Sequence, residues 1–318
     1  MDLHAPPRPP SRPPLDPRKF RDPAVTARGD ARAVVAPGRL ATLWFNTGSL
    51  CNLACRTCYM ESSPRDRRLA YLTRAEVERF LDEAAGHGTE RIGFTGGEPF
   101  MNPELPDMLE AVLGRGLRAL VLTNAMRPMR KLRERLLALR HHGDRLVIRV
   151  SLDHHTRARH EAERGPRSWL PAIEGLRWLA ASGFTVDVAS RRQPDEAEPA
   201  LRAHFAALFA EIGLAIDAAD PVALTLFPEM DAAADVPEIT TACWDVLHRR
   251  PEELMCHSSR MVLRRHDAPA ATVVACTLLP YEPAFELGGT LAEALRPVPL
   301  NHPHCARFCM LGGAACSR

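Results

Sequence analysis

Between Leu40 and Phe227 the chain switches six times from a short apolar run to a longer amphipathic stretch, and that rhythm leaves few folds open. The apolar runs are Leu40–Thr47, Arg91–Thr95, Leu117–Thr123, Leu146–Leu152, Phe184–Ala189 and Val222–Phe227. Helical stretches separate them: one from Thr73, one from about Pro103, then Leu132–Leu139, Leu170–Ala181, Leu201–Ile212 and a last one near Ile239–His248. Thr73 and Glu76 stand at capping-box spacing, and Val77, Phe80, Leu81 and Ala84 then recur at i, i+3, i+4 and i+7. Strands this apolar need cover on both faces, and strand–helix repeats supply it by building a parallel sheet with right-handed crossovers. Six units fall short of the eight that close a full barrel. The predicted fold is therefore α/β, a partial (β/α)6 TIM-like barrel over residues 39–249.

Two segments stand outside the rhythm. Residues 1–38 hold nine of the 28 prolines and few large apolar side chains, a composition that cannot offset its ordering entropy, so they are expected to be a disordered Pro/Arg-rich tail. Residues 250–318 are expected to be a small metal-stapled appendage rather than a continuation of the barrel. In it Ser259–Arg265 and Thr272–Cys276 flank a turn-like His266-Asp267-Ala268-Pro269 and predict a β-hairpin. A formal charge of +2 gives no reason to expect nucleic acid as a partner. No apolar run has the length of a membrane span or of a secretion signal, so a cytoplasmic protein with no membrane partner is expected.

Nine cysteines in a chain of that kind point to metal ligands or catalytic groups before disulfides. They fall into two groups. Cys51, Cys55 and Cys58 share one loop directly after the first strand, and none follows until Cys243. Loops at the C-terminal ends of barrel strands are where such folds place their chemistry. Three thiolates in one loop can hold three irons of a four-iron cluster and leave the fourth iron open. Zinc, the rival, favours four closed protein ligands, and the nearest histidine in sequence is His87.

The loop Cys51-Asn52-Leu53-Ala54-Cys55-Arg56-Thr57-Cys58, followed after the second strand by Thr95-Gly96-Gly97-Glu98-Pro99, resembles the signature of the radical S-adenosylmethionine superfamily. The resemblance implies a [4Fe-4S] cluster on Cys51, Cys55 and Cys58, with S-adenosylmethionine as its exchangeable ligand. It implies that Gly96, Gly97 and Glu98 grip the amino group of that ligand. Asn124 after the third strand, Ser151 and Asp153 after the fourth, and Arg192 after the fifth stand where the family contacts the ligand's ribose or carboxylate. The family usually carries an aromatic residue before the third cysteine; this chain has Thr57 there, with Tyr59 on the far side as the candidate adenine neighbour. Arg164-Gly165, following Ser151-Leu152-Asp153, matches the peptide-modifying members. Glu229 and Asp231, just past the sixth strand, are candidate proton acceptors.

The second group of cysteines brackets the predicted hairpin and then fills the tail: Cys256, Cys276, Cys305, Cys309 and Cys316. This resembles the SPASM and shorter twitch appendages of the same superfamily, which bind auxiliary clusters, although Ala271 replaces their usual glycine. One second [4Fe-4S] cluster is expected, with Cys243 as a spare; zinc on His302, His304 and Cys305 is the alternative. Taken together, the resemblance implies an enzyme that reductively cleaves S-adenosylmethionine to a 5′-deoxyadenosyl radical and abstracts hydrogen from a peptide or small-molecule substrate. A reducing partner such as flavodoxin or ferredoxin would supply the electron. Peptide maturation or oxidation is the leading expectation. A small-molecule dehydrogenase or carbon–carbon bond-forming enzyme is the alternative, and a non-catalytic iron–sulfur sensor a further one.

Overall fold

The computed structural model describes residues 13–192, 195–228 and 231–314. Its strands are β1 Val34–Val35, β2 Thr42–Asn46, β3 Arg91–Thr95, β4 Arg118–Thr123, β5 Leu146–Ser151, β6 Thr185–Arg191, β7 Leu224–Phe227, β8 Ser259–Leu263, β9 Thr272–Val274, β10 Glu286–Gly288 and β11 Val298–Pro299. The helices are α1 Arg74–Ala85, α2 Leu105–Gly114, α3 Arg127–Lys131, α4 Arg133–Ala138, α5 Arg157–Arg164, α6 Trp169–Ala181, α7 Glu198–Glu211, α8 Cys243–Val246, α9 Met255–Ser258 and α10 Leu291–Ala294. Strands β2 to β7 lie side by side in sequence order, each parallel to the next. This is the (β/α)6 arrangement predicted from the apolar runs.

The reason is visible strand by strand. All five residues of β2 are buried, as a parallel strand covered on both faces requires. Helix α1 has the capping box at Thr73 and Glu76 and turns Val77, Phe80, Leu81 and Ala84 inward. Ala172, Ile173, Leu176 and Leu179 do the same on α6. The expected helix near Ile239–His248 shrinks to the four residues of α8, which bury no side chain.

Two expectations about the ends of the chain need correction. The predicted hairpin forms, with β8 antiparallel to β9. However, β8 also pairs in parallel with β2, so the hairpin and β10 extend the barrel sheet to nine strands instead of standing apart from it. Phe285, Leu287, Leu300, Phe308 and Met310 belong to the same buried cluster as the barrel's Phe45 and Phe94. The sequence shows that these residues are apolar but not that β2 offers its free edge to them.

The second correction concerns residues 13–38, part of the segment expected to be disordered. Strand β1 pairs with β11, and Arg32 is buried with its guanidinium 2.6 Å from Glu238. Lys19 Nζ lies 2.7 Å from Asp235. These partners lie more than 200 residues away, beyond the reach of a composition argument. Residues 1–12 lie outside the described chain. No helix among the described residues is long and apolar enough to cross a membrane.

A three-thiol loop in the barrel mouth

The loop leaving β2 is held from three directions. Cys51 N–H donates to Ser63 O at 3.2 Å, Arg56 N–H to Glu163 O at 2.8 Å, and Leu53 N–H to the Cys51 sulfur at 3.4 Å. The Glu163 carboxylate on α5 also accepts from the Thr57 hydroxyl at 2.9 Å and pairs with the Arg56 guanidinium. Thr57, which stands where an aromatic residue is usual, is thus an anchor for the loop and leaves Tyr59 to face the cavity.

Beneath this loop runs the glycine pair. Gly97 N–H donates to Gly48 O at 2.9 Å and Glu98 N–H to Leu50 O at 3.0 Å. The approach is so close that a Cβ on Gly97 would sit 2.3 Å from Leu50 O, and one on Gly96 2.6 Å from Gly48 O. Gly96 also has φ +145°, a region that other residues rarely adopt. Absence of side chains here lets the segment after β3 pass directly under the cysteine loop.

Glu98 turns its carboxylate into the same cavity and is only 2% exposed. Thr123 Oγ1 donates to it at 2.7 Å, Asn124 N at 2.8 Å and Phe100 N at 3.2 Å. Burial raises its pKa even against these three donors. Two carboxylate oxygens can accept about four hydrogen bonds, so the group is oriented by its neighbours with room for one further donor.

On the opposite wall Asp153 meets two arginines, with Arg164 Nε at 2.8 Å and Arg191 Nε at 3.5 Å. Burial opposes its charge, but Arg164 and then Arg191 outweigh burial and hold Asp153 below the usual carboxylate range. Arg191 also donates to Thr57 O at 2.9 Å, which ties this wall to the cysteine loop.

The cavity thus gathers Cys51, Cys55, Cys58, Tyr59, Gly96, Gly97, Glu98, Asn124, Ser151 and Asp153, all named from sequence. Arg192 is not among them. It is half-exposed and reaches Gly312 O at 3.4 Å and Glu198 at 3.9 Å, while its neighbour Arg191 lines the cavity. Strand alternation carries the signal that separates the two, because Ala189 and Arg191 share one face of β6. Asp231 also lies elsewhere: it is exposed and accepts from Ala233 N–H in a local turn. Glu229 falls outside the described residues. Phe227, Leu278 and Phe308 complete the lining, and nothing local in the sequence marks them.

Cysteines of the second group meet around their own small cavity. Cys256 on α9, Cys276 after β9, and Cys305 and Cys309 on the π-helical segment Cys305–Leu311 line it together with Leu254, Leu279 and His304. Cys243 is not part of this lining; its sulfur lies beside Thr240. Cys316 lies outside the described residues. Burial pushes the thiol of Cys51 up to about 12 and that of Cys256 to about 11, and raises Cys305 well above the usual range. Thiols so raised stay protonated unless a cation compensates the thiolates, which is what a bound metal group does. Among the described residues no three of these sulfurs lie within 4.8 Å of one another. Thiolates sharing one tetrahedral zinc, at about 2.3 Å each, would stand about 3.8 Å apart.

Fold and cavity together define a class: a partial parallel barrel with three thiols and a buried glutamate at the C-terminal ends of its strands. Residues 45–191 match the family model of the Radical SAM superfamily, and this part of the chain is a radical SAM domain. Among curated proteins, the antilisterial bacteriocin subtilosin biosynthesis protein AlbA of Bacillus subtilis is 31% identical over 140 residues, 44% of this chain and 30% of that one. The mycofactocin maturase MftC of Mycobacterium ulcerans is 29% identical over 134 residues, 42% of this chain and 35% of that one. The matches span about a third of the length of these relatives. Among solved structures, Streptococcus suis SuiB bound to S-adenosylmethionine superposes with a TM-score of 0.58 at 12% identity, covering 80% of this chain and 63% of that one. SuiB bound to the precursor peptide SuiA gives 0.58 at 11%, covering 80% and 62%. At such identities the likeness is one of fold.

Proposed function

We propose that this chain is a radical S-adenosylmethionine enzyme acting on a peptide, with a second iron–sulfur cluster in its C-terminal part. The observation that carries the reading is the juxtaposition of Cys51, Cys55 and Cys58 with the buried Glu98 carboxylate in one cavity inside a radical SAM domain. When bound, a [4Fe-4S] cluster on these thiolates supplies, with S-adenosylmethionine, a one-electron cleavage that yields methionine and a 5′-deoxyadenosyl radical.

The chain's own residues do the positioning. Glu163 and Arg191 fix the cysteine loop through Thr57. Glu98 presents its remaining acceptor site to the cationic amine of the ligand. The ion pair of Asp153 with Arg164 and Arg191 leaves guanidinium N–H groups on the wall for the carboxylate. Tyr59, Phe227, Leu278 and Phe308 close the cavity against water. For the second group, the sulfur spacing suits a cluster better than a single zinc ion. The relatives whose names describe maturation and bacteriocin biosynthesis support a peptide substrate, as does the SuiB complex with its precursor peptide.

Glu98→Gln tests the binding role. Losing a charge-assisted hydrogen bond costs about 1.5–3 kcal/mol, so S-adenosylmethionine affinity is expected to fall roughly ten- to a hundredfold with iron content unchanged. Unaltered affinity in a titration removes Glu98 from the binding site. For the substrate, the test is incubation of reduced enzyme and S-adenosylmethionine with the short peptide encoded beside its gene. A peptide made in deuterated form is expected to pass deuterium into 5′-deoxyadenosine. No transfer, with S-adenosylmethionine still cleaved, would redirect the assignment to a small-molecule substrate.

A further inference from the structure

Just outside the barrel mouth the strand ends carry another set of ligand-type side chains, which the chemistry above leaves unused. His154 and His155 follow Asp153 after β5, Glu196 lies in the loop after β6, and His204 is on α7. Among the described residues, His154, His155 and Glu196 are the one group of three or more His, Cys, Asp or Glu whose ligand atoms all lie within 4.8 Å of one another. His154 Nε2 is 3.3 Å from Glu196 Oε2. Two donors sharing a tetrahedral ion at about 2.0–2.1 Å each stand about 3.3 Å apart. His155 adds a buried Nδ1 with no hydrogen-bond partner, and its ring packs 4.0 Å from that of His154 and 4.5 Å from that of His204. We propose that His154, His155 and Glu196 form a binding site for a divalent transition-metal ion of the zinc class, separate from both groups of cysteines.

Several features suit an ion of borderline softness. The donors are two imidazoles and a carboxylate, with no sulfur, which favours zinc or a neighbouring divalent metal. Burial holds His154 at about 4 and lowers His155 as well, so both rings are neutral near pH 7, the form that ligates. His204 Nδ1 lies 2.6 Å from Glu196 Oε1 and fixes the carboxylate from its other side. In the arrangement seen here, His154 Nδ1 accepts from Thr156 N–H at 2.9 Å, which places the ring proton on Nε2, toward Glu196. An entering ion takes the place of that proton. The Thr156 hydroxyl, also 2.9 Å from Nδ1, accepts from the ring in the opposite tautomer.

The position gives such an ion a consequence. The loop with His154 and His155 begins at Asp153, and the loop with Glu196 follows Arg191, whose guanidinium pairs with Asp153. An ion held between the two loops pins both sides of that ion pair.

The test uses the full chain with its clusters reconstituted, so that the cysteines are occupied. Zinc is added anaerobically, loosely bound metal is removed by desalting, and retained zinc is measured together with its X-ray absorption spectrum. About one equivalent is expected, with nitrogen and oxygen neighbours at about 2.0–2.1 Å and no sulfur near 2.3 Å. His155→Ala and, separately, Glu196→Gln are expected to weaken retention at least a hundredfold while iron content and S-adenosylmethionine cleavage stay unchanged. Glu196→Gln keeps the side chain's shape, so it serves if His155→Ala disturbs the loop. Zinc that is not retained, that shows sulfur ligands, or that is held equally by both variants overturns the proposal.

Discussion

Alanine at Cys51, Cys55 and Cys58 together is expected to lower the iron of anaerobically purified protein from about eight atoms per chain to about four and to abolish S-adenosylmethionine cleavage. The effect is large because the loop has no substitute ligand. Among the described residues the remaining cavity lining offers no other thiol or imidazole. The fold is expected to survive, since the loop is held by Ser63, Glu163 and Arg191 through backbone groups and Thr57, not through the sulfurs. Unchanged circular dichroism with lost activity is therefore the expected pair of results. Retention of all the iron would move the central cluster away from these thiols.

Changing Cys256, Cys276, Cys305 and Cys309 to alanine is expected to remove the other half of the iron and stop product formation. Cleavage of S-adenosylmethionine without substrate should continue, because the ligands of that reaction lie on β2 to β6. Sequence reasoning made metal the main source of order in this part of the chain. The packing argues otherwise: β8 is hydrogen-bonded to β2, and Phe285, Leu300, Phe308 and Met310 lie in the common core. The hairpin is accordingly expected to stay folded in the quadruple variant. Truncation after Pro299 is more severe, because it removes Phe308, which stacks near Phe227 at 5.6 Å and lines the catalytic cavity. Normal product formation by the quadruple variant would make the second group of cysteines dispensable for the reaction. Zinc in place of the lost iron would change the identity of the second metal and leave the first intact.

What could be read from the sequence was whatever depends on near neighbours. The six parallel strands announced themselves by apolar runs, α1 by its capping box, and the cysteine loop by spacing within eight residues. Glu98 was legible because its glycines precede it directly. Tertiary partners were not legible. Residues 13–38 looked unable to fold because Asp235 and Glu238, which hold Lys19 and Arg32, lie far along the chain. Phe308 and Leu278 reach the cavity only because the hairpin docks on β2. Arg192 was chosen over Arg191 although alternation along β6 favours Arg191, a local signal that was present and not used. The role of Thr57 depended on Glu163, on a helix more than 100 residues away.

The central claim is that this cavity cleaves S-adenosylmethionine, and one measurement meets it directly. Reconstituted protein, with its four-iron cluster verified by electron paramagnetic resonance after reduction, is incubated anaerobically with dithionite and S-adenosylmethionine and assayed by chromatography. The predicted result is 5′-deoxyadenosine and methionine in equal amounts, absent from the Cys51, Cys55, Cys58 variant. Cluster-loaded wild-type protein that forms no 5′-deoxyadenosine, or a triple variant that forms it as well as the wild type, would contradict the account.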